Sequence, residues 1–129
     1  MATRLNNIVV CIGSNISTAN KEVQLALTWL GEQFNTIHHT TPYQTAPVGV
    51  SANDAPYTNA VFIGTTPLSA DDITTKFKTY ERQRGRLLEH KQKASIIIDL
   101  DLVLINNQVV NFKEFNADYF KIGYNSIIH

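Results

Sequence analysis

An α+β sandwich is the fold class this sequence predicts, and three observations carry it. Short apolar runs of strand character alternate with stretches whose apolar residues recur at helical spacing. Their order along the chain is β-α-β-β-α-β. The 129 residues show no internal repeat and no linker, a length that fits one domain spanning 1–129 with a core of its own.

The first element is "NIVVCIG", Asn7 to Gly13, a continuous apolar run closed by a glycine and so a buried strand. Ser14, Asn15, Ser17 and Thr18 supply turn and cap residues. Val23, Ala26, Leu27 and Leu30 then repeat at helical spacing, with Gly31 placed to end the helix. "NTIHHTTPYQT" is β-rich, polar and interrupted by Pro42, which suits an edge strand. "TAPVGVSANDAP", Thr45 to Pro56, reads as a functional loop, and "YTNAVFIGTT" resumes strand character. Ser69 and Asp72 form a capping-box-like start to a stripe of Ile73, Phe77 and Tyr80 that runs to about Gly85. Arg86 to Ala94 is polar and basic, a second loop. "SIIIDLDLVL", Ser95 to Leu104, is the last main strand, and Asn106-Asn107 turns it into "QVVNF" as a hairpin return. The last fifteen residues read as aromatic and irregular. A split βαβ of this order is the ferredoxin-like arrangement, a mostly antiparallel sheet with both helices on one face.

Composition excludes several function classes. Formal net charge is zero, so nothing global calls for a nucleic-acid or membrane surface. Seven of the eleven Lys/Arg residues (Lys76, Lys78, Arg82, Arg84, Arg86, Lys91 and Lys93) nevertheless crowd into the segment just before the last main strand. The single cysteine, Cys11, excludes an internal disulfide framework and reads as a small buried hydrophobe. No basic leader precedes an apolar run and no apolar segment approaches the roughly 18 residues of a membrane span, so a cytoplasmic protein is expected.

Chemistry concentrates on Asp99 and Asp101, two carboxylates inside the most apolar stretch of the chain. Side chains alternate along a strand, so both point to one face while Ile98, Leu100 and Leu102 point to the other. Held about 7 Å apart at their Cα atoms, they repel one another unless a cation sits between them. Oxygen-only ligands suit Mg²⁺, which takes one or two carboxylates together with substrate phosphates. Polar residues on a half-exposed strand are the plainer explanation, but Asp is disfavoured in strands. Tyr43, Tyr57, Tyr119 and Tyr124 fall outside periodic core positions and could stack a flat heterocycle. His38 and His39 are adjacent on a strand, face opposite ways and cannot share a metal. His90 lies in the basic loop.

Four blocks in order give the chain a resemblance: "IGSN" at 12–15, "YQTAPVG" at 43–49 with "YTNAV" at 57–61, "ERQRGR" at 81–86 and "DLDLVL" at 99–104. Together the sequence resembles the 6-hydroxymethyl-7,8-dihydropterin pyrophosphokinases of folate biosynthesis, which transfer pyrophosphate from ATP to the pterin and release AMP. The resemblance implies that Asp99 and Asp101 bind two Mg²⁺ ions bridging the ATP phosphates, with Arg86 on phosphate. It places the pterin between Tyr57 and Tyr124, read by Asn59, Thr45 and backbone near Pro47 and Val48. Glu81, Arg86, Lys93, Leu102 and Tyr119 fall at nucleotide-side positions. ATP and hydroxymethyldihydropterin are the implied partners, without nucleic acid or membrane, and a monomer is the expected state.

Departures from the family's pattern all lie on the ATP side. Lys93 and Ile96 stand for a Trp and an Arg, Leu88 for an Arg, Asp118-Tyr119 for a His-Tyr pair and Ile122 for a basic residue. Lys91, Lys93 or Lys121 would have to compensate, as point charges without a guanidinium's fork. Two alternatives follow: a pterin- or nucleotide-binding relative with a degraded ATP site, and a ferredoxin-like RNA-binding module. The second lacks the aromatic-rich RNA-binding signature, and paired aspartates on the sheet face repel a phosphate backbone.

Overall fold

A computed structural model of the chain describes residues 4–45, 56–85 and 96–128. Its elements are β1 (Asn6–Ser14), α1 (Ala19–Gln33), β2 (Asn35–His39), β3 (Tyr43–Thr45), β4 (Tyr57–Thr66), α2 (Ala70–Gln83), β5 (Asp99–Ile105), β6 (Gln108–Val109), α3 (Phe112–Phe115) and α4 (Asp118–Ile127). The strands form one antiparallel sheet in the order β2-β4-β1-β5-β6, with β3 also paired to β4. This is the ferredoxin-like split the element order predicts, with β1 seated between the strands that flank α2.

One face of the sheet carries Ile8, Val10 and Ile12 of β1, Phe62 of β4 and Leu100 and Leu102 of β5. Onto it pack Val23, Ala26 and Leu30 of α1 and Ile73, Phe77 and Tyr80 of α2, in the spacing read from the sequence. Trp29 stacks on Tyr80 at 4.5 Å and meets Phe77 edge-on, closing the seam between the two helices. Arg84 grips Glu22 with two nitrogens, at 3.0 and 2.7 Å, so this member of the basic stretch ties α2 to α1.

The opposite face holds a layer the sequence reading lacked. Val9, Cys11, Val61 and Val103 are covered by Phe115 and by Phe120, Tyr124 and Ile127 of α4. The terminal segment is thus helical rather than irregular, because 120, 124 and 127 repeat at helical spacing and bury their stripe on the sheet. Cover on both faces explains why "NIVVCIG" is apolar throughout instead of alternating.

Local signals explain most boundaries. Ser69 Oγ accepts the Asp72 N–H at 3.2 Å as the cap of α2, and Gly85 leaves that helix at φ +96°. Asn106 and Asn107, at φ 51° and 67°, make the two-residue turn of the β5–β6 hairpin. Two boundaries differ from expectation. The first helix runs through Gly31 to Gln33, and the buried Phe34 closes it by donating its N–H to the Leu30 carbonyl. The aspartate strand starts at Asp99, with residues 96–98 outside it, later than the sequence suggests. The segments predicted as loops fall mainly in 46–55 and 86–95, outside the described residues.

Gly64 of β4 is fixed by space. A Cβ there would lie 2.6 Å from the Asn35 carbonyl oxygen and 2.7 Å from the Phe62 ring. Gly64→Ala is therefore expected to destabilise the fold by about 2 kcal/mol, read as a drop of several degrees in Tm.

Candidate active site

A cavity of about 460 Å³ opens on the sheet face that α3 and α4 leave partly uncovered. Strand periodicity and register build its floor. Asn59, Gly13 and Asp99 stand abreast on β4, β1 and β5, and Cys11 stands beside Asp101 one step along. Two strand spacings separate Asn59 from Asp99, about 10 Å. Between them Gly13 has no side chain, so the floor is open from the amide to the carboxylate. Thr45 and Tyr57, paired across β3 and β4, form one wall; Lys113, Glu114 and Tyr119 form the other.

Each polar side chain has a defined hold. Asn59 is 1% exposed, and its Nδ2–H donates to Thr45 Oγ1 at 2.6 Å. Asn111 caps α3 by accepting the Glu114 N–H at 3.1 Å, which brings the Glu114 carboxylate over the floor. Tyr119 donates its phenolic hydrogen to Glu114 Oε1 at 2.6 Å. Burial, then the charge of Asp99 and that of Glu114, pushes the Asp101 carboxyl up to about 8. Burial also raises the Cys11 thiol and the Glu114 carboxyl, the latter opposed by the Tyr119 hydrogen bond.

The approach to the aspartates is held from behind. Asn15 and Ile96 exchange hydrogen bonds, the Asn15 N–H to the Ile96 carbonyl at 3.0 Å and the Ile96 N–H to Asn15 Oδ1. The "IGSN" block thereby pins the backbone three residues ahead of Asp99. Glu81, read as a nucleotide-side residue, is buried on the helix face. Its Oε2 accepts the N–H of Leu100, the residue between the two aspartates, at 2.8 Å. It fixes the strand on which both carboxylates ride.

A second cavity, about 240 Å³, lies against α2 and β5 and is lined by Thr74, Phe77, Lys78, Leu100, Leu102 and Asn111 among others. Asp101 lines both cavities.

Of the residues singled out from sequence, Thr45, Tyr57, Asn59, Asp99, Asp101 and Tyr119 share the first cavity, and Leu102 lies in the second. Tyr124 does not line either: its ring stacks on Phe120 at 5.1 Å. Pro47, Val48, Arg86 and Lys93 lie outside the described residues. Cys11, Gly13, Lys113 and Glu114 were not anticipated as cavity residues. For Glu114 a signal existed, since Asn111 three residues ahead makes a helix-cap pattern.

Among the described residues no three His, Cys, Asp or Glu side chains are placed to hold a metal by themselves. The aspartate pair offers two hard oxygen ligands, and burial beside Asp99 and Glu114, which raises the Asp101 carboxyl, is a setting that a bound cation would relieve. That donor set fits Mg²⁺ shared with a substrate's phosphates. No described helix is long and apolar enough to cross a membrane.

The comparisons agree with this chemistry. The family model described as 7,8-dihydro-6-hydroxymethylpterin-pyrophosphokinase (HPPK) matches residues 9–123, most of the chain. No curated protein matches it. The match runs from the middle of β1 to α4 and takes in every element that lines the cavities, so the chain belongs to the HPPK family, ATP-dependent transferases that move a pyrophosphoryl group in folate biosynthesis.

Proposed function

We propose that this protein transfers the β,γ-pyrophosphoryl group of ATP to the hydroxyl of 6-hydroxymethyl-7,8-dihydropterin. The observation that carries the reading is Asp101, which lines two cavities of different character. The larger has an amide, a hydroxyl and an aromatic ring, suited to a flat heterocycle with an amide-like edge. The smaller has the apolar floor of Leu100, Leu102 and Phe77, suited to a nucleotide base. A triphosphate reaching from the smaller to the larger passes Asp101.

In this reading Asn59 and Thr45, with backbone near Pro47 and Val48, read the pterin edge while Tyr57 stacks on the ring. Tyr124 completes the stack by turning from Phe120 toward the cavity. The pterin hydroxyl oxygen attacks the β-phosphorus, the bond from the β-phosphorus to the α,β-bridging oxygen breaks, AMP leaves with that oxygen, and the hydroxyl proton passes to solvent. Asp99 and Asp101 would hold two Mg²⁺ ions, which supply charge neutralisation and in-line alignment when bound. Arg86, Lys93, Glu81, Leu102 and Tyr119 serve the nucleotide side. Lys113 is the one cation lining the larger cavity among the described residues, and in this reading it would stand beside the transferred group. The reading needs a single chain in the cytoplasm, with no nucleic acid or membrane.

The apolar Ile96, where the family's pattern has a cation, favours one competing reading: a pterin-binding relative without transfer. Calorimetric titration with the hydroxymethylpterin, in Mg²⁺ and a non-hydrolysable ATP analogue, is expected to give one site per chain. Chromatography after incubation with Mg-ATP then separates the readings. AMP and the pterin diphosphate support transfer; binding without AMP supports the relative. ADP as the nucleotide product contradicts both.

A further inference from the structure

Tyr43 does not line the cavity, yet it links the two walls that do. It lies two residues before Thr45 on β3, on the same side of the strand, opposite Asn59 in register. Its hydroxyl donates to the main-chain carbonyl of Tyr119 at 2.6 Å. Gly123, one helical turn along α4, makes room for the ring. A Cβ at that position would overlap the Tyr43 hydroxyl and sit 2.7 Å from Cε1. Burial raises the Tyr43 phenol far above any working pH, so the group is always a donor. β3 is three residues long and, among the described strands, pairs with β4, and this bond ties it to α4.

We propose that Tyr43 is a positioning residue: by latching β3 to α4 it holds the Thr45–Asn59 pair in register with the opposite wall, and so sets recognition of the pterin. The proposal rests on the pyrophosphoryl-transfer reading and adds a residue to it. The latch acts through Thr45, whose Oγ1 accepts the Asn59 amide at 2.6 Å, and not by contact with substrate. A β3 released from α4 keeps its pairing to β4 but lets Thr45 drift, leaving the Asn59 amide misaimed.

The test is Tyr43→Phe, which keeps the ring and removes only the hydroxyl. Loss of this part-buried hydrogen bond acting on recognition corresponds to about a tenfold rise in Kd and KM for the hydroxymethylpterin. KM for ATP is expected to stay within twofold and kcat within about threefold. Gly123→Ala, which displaces the same ring from the other side, is expected to show the same split, with Tm recorded for both variants. A lowered Tm with pterin affinity within twofold of the parent protein would make Tyr43 merely structural and overturn the proposal. So would equal rises in KM for both substrates. A parent protein that binds pterin but forms no AMP overturns the transfer reading alone, because the calorimetric comparison still decides the latch; a parent protein that binds no pterin overturns both.

Discussion

Asp101→Asn is expected to lower the rate of AMP release by about 10²–10³-fold or more while making the metal-free protein more stable at neutral pH. The two effects have one cause. The Asp101 carboxyl is half-buried beside Asp99 and Glu114, and that desolvation and charge push it up to about 8 from an ordinary 3.8. The folded protein therefore holds a proton that the unfolded chain releases, so stability falls as pH rises through the window from about 4 to 8. Below that window the contribution is fully present; above it the contribution is gone. Asparagine cannot ionise, so the variant loses this slope. Thermal melting in EDTA from pH 5 to 8 should show a declining Tm for the parent and a flatter one for Asp101→Asn. Mg²⁺ with ATP should restore the parent's Tm most at the alkaline end, where both carboxylates are ready to bind. A site kept unstable for its ligand is what a stability–function trade-off looks like at one residue.

Asn59→Ala is expected to reduce affinity for the hydroxymethylpterin by about 10²-fold, with nucleotide affinity little changed. A site built to hydrogen-bond an amide-like edge loses more than one contact when its partner goes, since the groups left behind stay unpaired. Asn59 is almost fully buried and also holds Thr45. Its loss therefore frees the hydroxyl that would share the recognition. Calorimetry on each ligand separately measures this, and a pterin Kd within threefold of the parent value would contradict the assignment.

The parts of the fold that follow a local period were legible in the sequence. Alternation placed Asp99 and Asp101 on one face, and the register adds that Gly13 and Asn59 lie on the same row. The stripes of α1 and α2 were equally plain. What escaped notice was set by partners far away in the chain. Tyr43 meets Tyr119, Asn15 meets Ile96 and Glu81 meets the Leu100 backbone, and none of these leaves a mark at either residue. Glu81 shows the difference best. Its type and position read as nucleotide-side; its burial and its hydrogen bond to the aspartate strand add a support that the sequence did not show. The second layer was missed: a strand apolar on both sides needs two covers, yet the terminal aromatics that supply the second read as irregular.

The most direct measurement is AMP formation from Mg-ATP with and without 6-hydroxymethyl-7,8-dihydropterin, in the parent protein and in Asp99→Asn. The account predicts AMP only when the pterin is present, one per pterin diphosphate formed, and none above background in the variant. Pterin-independent AMP, or undiminished release from Asp99→Asn, would contradict the claim that transfer takes place over the aspartate pair.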